Sequence, residues 1–172
     1  MSNLVGHNDE LDILSNSFRS KNLHSSIIVH GLKGIGKRAF VTKFIYNLIS
    51  LSIGKNSYEN QINLFNKNSH PNIKIIEKTI DKKTQKLKNY INIDQIRQLK
   101  KFIYESPSVK DLSKIIIIDS ADDLNINSAN ALLKCLEEPS KNTYIFLISH
   151  QLSSLLPTIR SRCLKIKLKN HN

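Results

Sequence analysis

The sequence predicts an α/β fold, a mainly parallel sheet with helices on both faces. Three observations predict it. Short apolar runs of strand length alternate with stretches whose apolar residues recur at helical spacing. A glycine-rich loop joins the first such run to the first long helix, and a later run, Ile115 to Ile118, ends in an acid, Asp119. Strands that read as continuous apolar segments are those buried on both faces, the signature of a parallel sheet.

The elements follow in order. Asn8, Asp9 and Glu10 open a helix with a capping residue and two acids, turn Leu11, Ile13, Leu14 and Phe18 inward, and the helix ends at Lys21 and Asn22. Ser26 to Val29 is a buried strand. The glycine loop at 30–38 leads into a helix in which Phe40, Phe44, Ile45 and Leu48 share a face, running to about Ser52. Residues 53–72 break into Asn, Lys, Ser and Tyr and read as an irregular, mostly exposed connection. Residues 73–76 form the second strand. Residues 78–89 carry Lys78, Lys82, Lys83, Lys86 and Lys88, a charge run that reads as a solvated hairpin tip or loop. Residues 92–105 form a helix with Ile93, Ile96, Leu99, Ile103 and Tyr104 on one side and Arg97, Lys100 and Lys101 facing out. Residues 114–119 are a buried strand, 128–137 a helix stopped by Pro139, and 143–149 and 163–168 two more strands. No internal repeat or flexible linker interrupts them.

The chain has 172 residues, enough for one sizeable core, with 40% hydrophobic and 23% charged residues, the balance of a soluble globular domain. Its longest aliphatic run is far too short to span a bilayer, so no membrane partner is expected. Its first residues lack a signal-peptide pattern, which predicts a cytoplasmic location. Cys135 and Cys163 lack the number and spacing of a zinc site or disulfide framework and read as reduced structural thiols. The net charge of +12 invites a nucleic-acid reading. However, Lys, Ile and Asn are all residues of A/T-rich codons, and the basic stretches lack interleaved aromatics for base stacking. The charge by itself does not establish a DNA surface.

The chemistry concentrates in the loop. Gly31, Gly34, Gly36 and Lys37 keep the spacing of a phosphate-binding P-loop, placed between a strand and a helix as that motif requires. Its backbone N–H groups can turn inward on a phosphate, and the helix N-terminus and Lys37 add positive charge. The next position should be Ser or Thr, whose hydroxyl ligates Mg²⁺, and it is Arg38. Asp119, at the end of its strand, stands where a P-loop protein keeps the acid of its metal shell. A hydrolysing enzyme of this kind would follow with Glu to activate water, and Ser120 cannot act as that base. Asp122 and Asp123 lie too far along the chain to replace it. Two losses, one in metal binding and one in water activation, predict no intrinsic ATPase.

Asn130 to Pro139 resembles the N-A-L-L-K-x-L-E-E-P signature of AAA+ clamp-loader subunits, and 156–163 resembles their closing P-T-I-x-S-R-C segment. Val5-Gly6-His7 is similar to the family's N-terminal V-G-x motif near the adenine, and His70-Pro71-Asn72 and Ile93 to Arg97 also match the bacterial branch. The degenerate loop and the run from Asp119 to Asp123 resemble the delta-prime members. The resemblance implies a RecA-like AAA+ domain over residues 1–172, and the family's helical lid and collar domains are expected to be absent from this chain. It implies a component of the DNA polymerase III holoenzyme, working with gamma or tau and delta subunits to load the sliding clamp on primed DNA. It implies that Arg162 serves as an arginine finger in trans, that Ser149 holds the sensor-1 position, and that ATP or ADP binds weakly or not at all. No cofactor is required, and the family's four-cysteine zinc module has no counterpart in residues 50–72, so no zinc is expected. A gamma-like ATPase tolerating Arg38 and Ser120, and a module holding ATP or ADP structurally, are the alternative readings.

Overall fold

The computed structural model describes residues 6–169. Its centre is a five-stranded sheet in the order β2-β3-β4-β1-β5, where β1 is Ser26–His30, β2 Ile73–Ile76, β3 Lys114–Asp119, β4 Thr143–Ser149 and β5 Leu164–Lys167. Every ladder is parallel. Helices α1 (Asn8–Arg19), α2 (Lys37–Ser52) and α3 (Lys55–Asn66) cover one face. Helices α4 (Ile93–Tyr104), α5 (Ile126–Glu137) and α6 (Pro157–Arg160) cover the other. No helix among the described residues is long and apolar enough to cross a membrane.

Two cores result, one per face, because successive strand residues point to opposite sides. Ile27 and Val29 of β1, with Ile115 and Ile117 of β3, meet Phe40, Phe44 and Leu48 of α2. Ile28, Ile116 and Ile118 meet Ile96 and Leu99 of α4 and Leu132 and Leu136 of α5. Helix α4 starts where the sequence placed it, with a reciprocal capping box: Asn92 accepts from the Gln95 N–H while the Gln95 side chain accepts from the Asn92 N–H. The hairpin reading of the lysine-rich stretch holds, with Ile80 and Leu87 bridged antiparallel.

The structure corrects several expectations. Residues 53–72 are not an irregular connection, since α3 occupies most of them. Tyr58, Ile62 and Phe65 recur at i, i+4 and i+7 and pack on the first core, a stripe thinned by the polar residues between them. Asn8 does not cap α1; it is the first helical residue, preceded by His7 in the left-handed conformation. Ile13 is exposed, because it lies about 200° around the helix from Leu11. Tyr104 is exposed too, one 100° step past buried Ile103, and Phe102 packs partly in its stead. Helix α5 starts at Ile126 rather than 128, capped by the Asn125 side chain. Val5 of the proposed adenine-side motif lies outside the described residues.

Strand order also builds the site. With β3, β4 and β1 adjacent, their C-terminal ends form one rim: His30 is level with Ser149, and Asp119 with Ile148. The glycine loop, Asp119 and Ser149 come from distant stretches of chain and meet there, at the strand ends where open α/β sheets place ligands.

Candidate functional site

The loop after β1 turns its charges onto itself. Lys37 is almost fully buried, and its Nζ donates to the Gly31 and Leu32 carbonyls, 2.7 Å each. Two of its three donors are thereby spent on the loop's own backbone. Burial pushes the Lys37 ammonium below its usual range, an effect partly offset by the nearby Asp122 and Asp119 carboxylates. One residue on, Arg38 Nη1 lies 2.8 Å from Asp119 Oδ2. The residue that replaces a metal-ligating hydroxyl thus places a guanidinium on the carboxylate of the metal shell. The pair is half-buried on both sides. This donor set does not suit a magnesium-nucleotide complex: position 38 offers a cation, and Asp119 is already neutralised.

Gly31 has a backbone φ of 153°, and a Cβ placed on it would stand 2.6 Å from the Leu168 carbonyl oxygen. The Leu168 N–H donates to the His30 carbonyl at 2.8 Å. The glycine therefore admits the chain leaving β5 as well as shaping the loop. Beside it is a cleft of about 500 Å³ lined by His30, Leu32, Ile35, His150 and Lys167. Gly31→Ala is expected to lower stability by about 2 kcal/mol, since both φ and contact are then strained. A urea midpoint equal to wild type would contradict this. Gly34 and Gly36 also take left-handed φ values of 86° and 90°, and Gly36 is the residue before α2.

Ser149 reaches no loop residue through a described hydrogen bond. It is fully buried, and its Oγ donates to Asp122 Oδ1 at 2.9 Å. Asp122 is the feature that sequence reasoning missed. It also accepts from Ser120 Oγ at 2.6 Å, Ser154 Oγ at 2.6 Å, the His150 N–H at 2.8 Å and the Gln151 N–H at 3.1 Å. Burial opposes its charge, yet the bonds from Ser120, Ser154, His150 and Gln151 win and bring the carboxyl down to about 2. Ser120, at the position of a catalytic Glu, serves this network and caps the short helical turn Ala121–Asp123. The Ser-x-Asp spacing after the strand-ending acid was the available signal.

Arg162 follows α6 and stands apart from the loop in its described bonds. Its Nη2 is 2.7 Å from Glu137 Oε1, and its Nη1 donates to the Thr158 carbonyl at 2.8 Å. The Arg162 side chain stays about one-third exposed. Cys135 and Cys163 are buried free thiols, and burial pushes the Cys163 thiol up to about 11.

A family model described as DNA polymerase III, delta subunit, matches residues 6–172. The chain is 34% identical over 150 residues to a DNA polymerase III subunit delta' of Pseudomonas aeruginosa, covering 86% of the chain and 43% of that protein. It is 30% identical over 155 residues to the subunit delta' of Bacillus subtilis, covering 89% and 44%. In fold it is similar to a DNA polymerase III gamma subunit-related protein of Thermotoga maritima, with a TM-score of 0.71 at 23% identity over 95% of this chain and 47% of that one. The chain spans less than half the length of each of these relatives.

Proposed function

This chain belongs to the DNA polymerase III delta-subunit family, and from that premise we propose that it is a clamp-loader subunit that does not hydrolyse ATP itself. In this reading it works beside gamma or tau and delta subunits to place a sliding clamp on primed DNA in the cytoplasm. It needs no resident nucleotide, metal or zinc of its own. Its contribution to catalysis is Arg162, offered to the nucleotide held by a neighbouring ATPase subunit. A guanidinium in trans neutralises charge that develops on the transferred phosphoryl group and matches its oxygens with a planar fork of donors.

The observation that carries the silent-site half is the Arg38–Asp119 pair. It favours this reading over a gamma-like ATPase, because metal binding would have to displace a guanidinium from the carboxylate at the end of β3. Titration of the purified chain with ATP, with and without Mg²⁺, tests it. No magnesium-dependent saturable binding is expected, and phosphate release should equal a buffer blank. Turnover abolished by Asp119→Asn would contradict the proposal. Arg38→Thr combined with Ser120→Glu is expected to restore magnesium-dependent nucleotide binding without restoring hydrolysis, since the arginine from a neighbour is still missing.

A further inference from the structure

The arginine does not project freely from the surface. Its backbone is fixed by buried Ile159 and Cys163 on either side, and its tip is gripped twice, by Glu137 and by the Thr158 carbonyl. Glu137 is the last residue of α5. An acid is unfavourable there, because the free carbonyls of a helix C-terminus already carry negative partial charge. Nor does so exposed an ion pair add much to stability. What the contact does supply is direction. An unrestrained arginine tip samples many rotamers, and a finger that must meet a phosphoryl group at hydrogen-bond distance loses rate for every misplaced one. The carboxylate takes Nη2 and the carbonyl takes Nη1, which fixes the plane of the guanidinium across the gap between α5 and α6.

We propose that Glu137 is a positioning residue, holding Arg162 in the orientation in which it meets the nucleotide of the adjacent subunit. This rests on the trans role of Arg162 proposed above. The test uses a clamp loader assembled with the subunit that carries this domain, in the presence of clamp and primed DNA, reading kcat and KM for ATP. Glu137→Ala is expected to lower kcat about fivefold with KM unchanged, because orientation is lost while nucleotide binding by the neighbour is not. Glu137→Gln, which keeps an oxygen for Nη2, should recover most of that rate. In an Arg162→Ala background Glu137→Ala should cost nothing further, and the urea midpoint of the single variant should match wild type.

Three results at Glu137 would overturn the assignment. A wild-type kcat for Glu137→Ala beside a slow Arg162→Ala leaves the finger standing and removes its positioner. An equal loss in both backgrounds makes Glu137 a structural residue. A faster Glu137→Ala makes it a restraint rather than a guide. If Arg162→Ala itself turns over at the wild-type rate, the finger reading has failed, and this inference fails with it.

Discussion

Replacing Arg162 with alanine is expected to lower the ATP turnover of a loader assembled with this subunit, while the subunit remains folded. The side chain is partly exposed and its bonds are to Glu137, Thr158 and Ser161, so its removal opens no core cavity. On the proposed trans role its loss would remove one transition-state charge contact, and arginine fingers are worth ~10³-fold or more at the site they serve. Total turnover should fall less, since on the same reading the loader's other ATPase sites keep their own fingers. Arg162→Lys should rescue poorly: a point charge on a flexible stem cannot both keep Glu137 and present a planar fork. Arg160→Lys, two residues earlier, is the control and should leave the rate near wild type.

Asp122→Ala is expected to cost about 3 kcal/mol of stability, because three hydroxyls and two N–H groups lose their acceptor in a partly buried place. It should also loosen the rim, since Ser120, Ser149 and the turn from His150 to Ser154 converge on this one carboxylate. The pH dependence has a definite sign. The folded carboxyl titrates at about 2, below the ordinary 3.8. Its contribution is therefore complete above about pH 4 and lost as the pH falls from there towards 2, about 2 kcal/mol in all. Wild-type stability should drop over that window, and Asp122→Asn should show a shallower drop from a lower starting point. Equal slopes for the two proteins would contradict the network.

The sheet was legible because its strands are apolar runs bounded by turn residues. β3 and β4 have the ends read from the sequence, and α4 falls within the stretch read as a helix. Helix α3 was not legible, because its three packing residues stand among Asn, Ser and Lys and only tertiary contact with the first core makes them a face. Ile13 and Tyr104 were misplaced for a different reason: hydrophobic character was read where angular position decides burial. At the site, Arg38 was recognised as a lost metal ligand. Its partner was not, since residues 38 and 119 are brought together by the strand order. Asp122 was judged only as a failed catalytic base, because four of its five donors come from residues 149–154, which the pairing of β3 with β4 brings beside it. The Glu137–Arg162 pair likewise joins two motifs that the sequence could only place side by side.

In the proposed division of labour, this subunit's own nucleotide site is silent and its arginine works for a neighbour. One comparison tests it, the steady-state ATP turnover of loaders assembled with Asp119→Asn or Arg162→Ala in this subunit, with clamp and primed DNA present. Wild-type turnover is expected for Asp119→Asn and a clear loss for Arg162→Ala. The opposite pattern, with Asp119→Asn slow and Arg162→Ala unaffected, would show that the chain hydrolyses its own ATP and that Arg162 serves only its own fold.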